Sequence, residues 1–178
     1  TSSTSFTSFT SYLSIMNNYI LSAEIAEKKL RRMAYEVMEN NADEKHIILV
    51  GIRESGSVIA RCIQKMFAEI SSIETQLLTV TLDKKLPKEV ELSEKMNFDD
   101  KVIILVDDVS NSGKTLLYAL KAFLDYQPRK IQMLVLVERS HKAFPVQPDY
   151  VGLSVATTLQ EHIYVEVDGE KVKGAYLK

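Results

Sequence analysis

Asp107 and Asp108 stand side by side, and a run of small polar residues follows after Val109: Ser110-Asn111-Ser112-Gly113-Lys114-Thr115. Paired carboxylates can grip vicinal hydroxyls or a magnesium ion. A serine- and glycine-containing loop that opens a helix leaves backbone N–H groups free, and phosphate binds well there. A sugar phosphate carrying Mg²⁺ satisfies both halves together. Ser112-Gly113-Lys114-Thr115 looks like the tail of a nucleotide-binding P-loop. That pattern needs a glycine five positions before Gly113, where this chain has Asp108. A capping serine explains Ser110 or Ser112 by itself but not the acids beside them.

These residues need a scaffold, and the flanking sequence supplies one. Val102-Ile103-Ile104-Leu105-Val106 is apolar and mostly β-branched, which predicts a buried strand running up to the acids. An apolar period from about Lys114 predicts a helix over 114–126. Upstream, Ser22 is a candidate N-cap with Glu24 in the first turn. Ile25, Leu30, Met33, Ala34, Val37 and Met38 form an apolar stripe that fades at Asn40-Asn41. Residues 46–51 read as a strand, 52–56 as a turn, 57–70 as a helix and 75–82 as a strand. The polar stretch 83–100 reads as a long loop of the kind that covers a site. Residues 130–138 read as another buried strand, and 162–168 with 171–176 as a hairpin about Asp168-Gly169.

Strands alternating with helices predict an α/β fold: a doubly wound, mainly parallel sheet flanked by helices, with a small C-terminal hairpin. Ligands of such sheets bind beyond the carboxyl ends of the strands. The loops at 52–56, 83–100, 108–115 and 139–142 all fall at that rim.

The 178 residues, 46% hydrophobic and 26% charged, suit one soluble domain over 16–178. Residues 1–15, rich in Ser and Thr, read as a disordered tail or an upstream extension. No apolar run is long enough for a bilayer, so no membrane partner is expected. Cys62 is the lone cysteine, which excludes an internal disulfide and fits a reducing cytoplasmic setting. Its place on an apolar helix face reads as a small buried hydrophobe rather than a nucleophile. Three scattered histidines, at 46, 141 and 162, argue against a zinc site. A net charge of −2 gives no global nucleic-acid footprint.

Residues 102–117 resemble the ribose-phosphate signature of type I phosphoribosyltransferases. Leu136-Val137-Glu138-Arg139-Ser140-His141, Pro145 and Asp149-Tyr150-Val151-Gly152 resemble the PyrR-type branch, pyrimidine-operon attenuation regulators with uracil phosphoribosyltransferase activity. Gly51-Ile52-Arg53 with Gly56, and the helix around Arg32 to Val37, have counterparts in that branch. The resemblance covers about residues 20–168. It implies a pentosyl glycosyltransferase that joins uracil to phosphoribosyl diphosphate with Mg²⁺, releasing pyrophosphate. It also implies a homodimer or higher homo-oligomer, and an mRNA leader as a further partner.

Residue roles implied by the resemblance follow position by position. Asp107 and Asp108 would hold the ribose hydroxyls, directly or through Mg²⁺, and with Arg53 form the catalytic group. Ser110, Asn111, Ser112, Gly113, Lys114 and Thr115 would cradle the 5′-phosphate. Ile52, Arg53, Glu54 and Ser55 would form the pyrophosphate loop. Arg139 would reach an exocyclic oxygen of the base, Tyr150 or Val151 would pack on its ring, and 152–158 would help form the hood. From the residues alone, Arg53 also reads as a surface ion pair, Arg139 as a solvated strand end and Tyr150 as core.

Three departures from the branch pattern bear on catalysis. Glu54 stands where a threonine is usual, and an acid there repels pyrophosphate unless a cation offsets it. Ser55 stands where an arginine is usual, and Lys84 and Lys85 replace a Tyr-Arg pair in the flexible loop. Lysine supplies charge without the bidentate fork. Asn111 stands where purine relatives place an aspartate that takes a ring proton, and an amide cannot do so. This favours a pyrimidine over a purine. The alternatives are an RNA-binding attenuation regulator with weak catalysis and a purine salvage transferase. The first needs a basic face, with Lys28, Lys29, Arg31 and Arg32, or Lys84, Lys85 and Lys88, as candidates.

Overall fold

A computed structural model of the chain describes residues 18–83, 89–156 and 161–178. The tail expected at 1–15 lies outside these residues, as do Lys84, Lys85 and Lys88. The elements run β1 (Asn18–Ser22), α1 (Ala23–Asn40), β2 (His46–Ile52), α2 (Arg53–Ile70), β3 (Glu74–Leu82) and β4 (Val90–Leu92). They continue with β5 (Val102–Ser110), α3 (Lys114–Ala119), β6 (Lys130–Arg139), β7 (Tyr150–Val155), β8 (Ile163–Asp168) and β9 (Lys171–Leu177).

The main sheet has six strands in the order β4-β3-β2-β5-β6-β7. All pairs are parallel except β3 with β4. Each central strand is buried on both faces, so alternate residues fall into separate cores. Ile47, Leu49, Ile104 and Val106 face α1 and α2. Ile48, Val50, Ile103 and Leu105 face Leu116, Ala119 and Phe123 on the other side. Side chains of this size each contribute about 1.5–3 kcal/mol when fully buried, and the strand ends inherit that rigidity. The doubly wound, mainly parallel arrangement agrees with the reading of the sequence.

Ser22 caps α1, its hydroxyl accepting from the Ile25 N–H at 3.3 Å. The stripe of α1 buries Ala26, Leu30, Met33, Ala34 and Val37, whereas Ile25 is left 47% exposed. α2 begins at Arg53 rather than at 57, so the turn expected at 52–56 is its first turn. Gly56 lets that turn sit on β5: a Cβ there would lie 2.6 Å from the Val106 carbonyl oxygen. α3 ends at Ala119 and continues as a 3₁₀ turn over Leu120–Phe123, shorter than the helix expected over 114–126. The loop expected over 83–100 holds β4, which adds an antiparallel edge to β3.

A second, antiparallel sheet has the order β1-β9-β8. β8 and β9 form the expected hairpin, and β1 joins it from the other end of the chain. The hairpin turn rests on α2, where Glu170 meets Arg61 and Lys65 and its carbonyl accepts from the Cys62 thiol at 3.3 Å.

Candidate phosphate and sugar site

The carboxyl end of β5 builds the site. Asp107 is only 4% exposed, and its Oδ1 accepts the Asp108 N–H at 2.9 Å. Asp108 is half-buried, and its Oδ1 accepts the Val109 N–H at 2.8 Å. Each carboxylate is thus oriented by the backbone immediately after it. The chain then turns through Gly113, whose φ of 83° lies in the left-handed region that suits a residue without Cβ. The Lys114 N–H donates to the Ser112 hydroxyl at 3.3 Å, and the Leu117 N–H to the Gly113 carbonyl at 3.0 Å.

These residues enclose a cavity of about 390 Å³. Ser55, Asp107, Asp108, every residue from Ser110 to Thr115, and His162 to Val165 line it. The structure therefore brings the two acids, the polar loop and one residue of the 52–55 segment to a single space. A sugar of five carbons with a phosphate fits such a volume, because small-ligand sites start at about 300 Å³.

The 52–55 segment is divided. Ile52 is buried in the core and offers only its backbone. Arg53 has a φ of 56°, uncommon for a residue with a Cβ. Its guanidinium donates to the Leu82 carbonyl, and its Nε is buried without an acceptor among the described residues. Arg53 and Glu54 line a neighbouring depression with Ser57, Arg61, Thr79 and Thr81, and only Ser55 reaches the main cavity. The Glu54 carboxylate consequently opens onto a depression that also holds Arg53 and Arg61.

Arg139 ends β6 and lines a second depression of about 370 Å³ with His141, Lys142 and Ala143. That depression shares Asn111, Ser112 and His162 with the main cavity. Tyr150 does not join it. It opens β7, pairs in register with Leu134, and is 1% exposed. Asn41 Nδ2 donates to its hydroxyl at 3.5 Å, and burial pushes the phenol upward from its ordinary range. Tyr150 is core at the amino end of the strand, because a parallel strand presents its last residues to the rim. Val151 follows it there, and residues 152–155 complete an edge strand of the main sheet. Residues 157–160 lie outside the described residues.

His162 and Tyr164 face the main cavity from β8 and its approach, and neither was expected there. The strand alternation of 162–168 placed both on one face, but nothing in the sequence told which face that was. Tyr164 stacks on Tyr176 with ring centroids 5.6 Å apart.

The donors suit magnesium. Asp107 and Asp108 present hard oxygens to a polar cavity, and among the described residues no group of three His, Cys, Asp or Glu forms a complete cage. Mg²⁺ is bound in this way, by one or two carboxylates plus water and substrate oxygens. The cations of α1 are largely engaged: Lys28 with Glu24 at 2.7 Å, Arg31 with Glu69 at 3.0 Å, and Arg32 with Glu36. Arg32 also donates to the Val151 carbonyl at 2.7 Å, tying α1 to the sheet edge. No helix among the described residues is long and apolar enough to cross a membrane.

The chain is similar to known proteins along most of its length. A phosphoribosyl transferase domain matches residues 16–170. "Bifunctional protein PyrR" of Haemophilus ducreyi is 31% identical over 163 residues, covering 86% of this chain and 91% of that protein. Its namesake in Enterococcus faecalis is 34% identical over 158 residues, covering 84% and 89%. Among solved structures, the hypoxanthine phosphoribosyltransferase of Trypanosoma cruzi superposes with a TM-score of 0.75 at 10% identity, covering 90% of this chain and 95% of that one. A hypoxanthine-guanine phosphoribosyltransferase of Bacillus anthracis gives 0.65 at 18% identity, covering 78% and 82%. These two show a shared fold. With most of its length matched by the domain and by the two PyrR proteins, the chain belongs to the phosphoribosyl transferase family.

Proposed function

We propose that the chain transfers 5-phosphoribose from phosphoribosyl diphosphate to a pyrimidine base, uracil first among them. The supporting observation is the single cavity that holds Asp107, Asp108 and the 110–115 loop. Displacement at the anomeric carbon passes through an oxocarbenium-like state, as in glycoside chemistry. Little covalent work falls to the protein, so rate comes from placement and electrostatic stabilisation. Asp107 and Asp108 hold the ribose hydroxyls and keep the anomeric carbon in place. The loop N–H groups, with the Ser112 and Thr115 hydroxyls, hold the 5′-phosphate, and Ser110 contributes through its peptide. Asp107 and Asp108 are the residues that would hold Mg²⁺, which when bound would supply charge neutralisation for the pyrophosphate leaving group. Ser55 receives that group from the α2 side, and Arg53, in the neighbouring depression, joins it on leaving the Leu82 carbonyl. Arg139 reaches the base from the adjoining depression, and Asn111 beside it leaves no carboxylate for a purine ring proton.

The relatives' name, bifunctional, supports a second role, which we read as binding of a pyrimidine-leader RNA through a basic face. A homo-oligomer, one domain over 16–178 and a cytoplasmic setting complete the reading. Labelled uracil, hypoxanthine and orotate, each incubated with phosphoribosyl diphosphate and Mg²⁺, test the transferase. Uracil is converted to its monophosphate; a chain that converts hypoxanthine and leaves uracil untouched overturns the choice of base. Filter binding of leader RNA over a salt series tests the second role, which needs saturable, salt-sensitive retention.

A further inference from the structure

Beside the phosphate loop, in the depression that adjoins the cavity, Lys142 is fully engaged. Its Nζ donates to the Ser110 hydroxyl at 2.7 Å and to the Ser110 carbonyl at 3.2 Å, and pairs with Glu138 Oε1 at 3.1 Å. An ammonium has three donors, and here three acceptors meet it. Its side chain is 18% exposed and that of Glu138 10%. The next two residues act on the same loop: the Ala143 and Phe144 N–H groups donate to the Ser112 carbonyl at 3.1 and 3.0 Å.

The consequence follows from the planar trans peptide, in which a carbonyl and the next residue's N–H point in opposite directions. Drawing the Ser110 carbonyl toward Lys142 aims the Asn111 N–H the other way. Drawing the Ser112 carbonyl toward 143–144 aims the Gly113 N–H the other way. Lys142 and Ala143 line the base-side depression and not the main cavity, whereas Asn111 and Gly113 line the main cavity, so we take these two amides to face it. Two carbonyls held on one side give two amide donors on the other, a concave anion site of the kind successive N–H groups make.

We infer that Lys142 is a positioning residue for the 5′-phosphate cradle, acting through the Ser110 peptide. This rests on the phosphoribosyl reading of the cavity. Lys142 lines no part of the main cavity; it fixes which way the loop amides face, and it places a positive charge beside them. Because it sits in the segment that also carries Arg139, it joins the phosphate and base subsites in one rigid piece.

The test is calorimetric binding of ribose 5-phosphate without any base, with parallel titrations of pyrophosphate. Lys142→Met removes the donor but leaves Glu138 buried beside a neutral neighbour, which can unfold the loop. The pair Lys142→Met with Glu138→Gln removes both charges and keeps the fold testable by thermal melting. Lys142→Arg restores a cation. The expected result is roughly tenfold weaker ribose 5-phosphate binding in both methionine variants, the size of one charge-assisted hydrogen bond. Pyrophosphate affinity is unchanged, and the arginine variant recovers most of the loss. Wild-type affinity for ribose 5-phosphate in the folded double variant overturns the inference, and so does an equal loss for pyrophosphate, which marks a general structural defect. A wild-type chain that binds pyrophosphate but not ribose 5-phosphate refutes the reading of the cavity instead.

Discussion

The two ends of the main sheet both gather acids beside a concavity, and they engage those acids differently. At the amino end, Asp100 and Glu44 are both taken up by Arg129: Nε and Nη2 reach Asp100 at 2.8 Å, and Nη1 reaches Glu44 at 2.9 Å. The result is a surface ion cluster in which the charges answer one another. At the carboxyl end, Asp107 and Asp108 are oriented by their own backbone and front a cavity walled by a polar loop. An acid count does not separate the ends. What separates them is whether the carboxylates face a cation of the protein or a space that backbone donors also face.

Neutralising one acid at each end sharpens that contrast most. Asp108→Asn lowers turnover by about 10²-fold, the cost of removing one preorganised electrostatic group, whereas Asp100→Asn leaves kcat and KM for the donor unchanged. Steady-state kinetics on both variants reads this directly, and similar losses in the two would break the contrast. Next comes the loop. Gly113→Val puts a β-branched residue at a φ of 83°, with its Cβ 3.4 Å from the Phe144 carbonyl oxygen. Strain of about 1–3 kcal/mol is relieved by moving the loop, so KM for phosphoribosyl diphosphate rises roughly tenfold while the melting temperature falls only slightly.

At the amino end, Arg129→Met alters stability and not activity. The guanidinium beside Asp100 holds that carboxyl below its usual range, chiefly by hydrogen bonding. A depressed acid contributes stability above its unfolded pKa, about 3.9, and loses it as pH falls through the folded value. Urea unfolding over a pH series should therefore show wild type ahead of Arg129→Met at neutral pH, with the gap closing in acid. The smallest effect concerns Cys62, whose thiol burial pushes up. A thiol reagent at neutral pH labels it slowly in the native chain and quickly in denaturant, with no loss of turnover.

Much of this was readable from the residues. Strands β2, β5 and β6 are continuous apolar runs, because both faces of each are buried, and they fixed the rim where the loops meet. The acid pair and the polar loop landed together as expected. Other features depended on partners distant in sequence. β1 pairs with β9 from the far end of the chain, and residues 18–22 carry no pattern that says so. For Tyr150 the residues alone left core and base packing both open, and its burial in the paired strand β7 places the ring in the core. Arg53 turns to Leu82 because α2 starts one turn early with a left-handed residue, and no local spacing announces that. The Lys142 contacts join residues 32 positions apart and need the fold before they can be seen.

The central claim is that the acid couple and the amide-rich loop bind one donor molecule together. Titrating phosphoribosyl diphosphate with Mg²⁺ into the Asp107→Asn, Asp108→Asn double variant by calorimetry tests it most directly. The account predicts affinity at least about 100-fold below wild type, with the remainder insensitive to Mg²⁺. Undiminished, Mg²⁺-dependent affinity in that folded variant would contradict it.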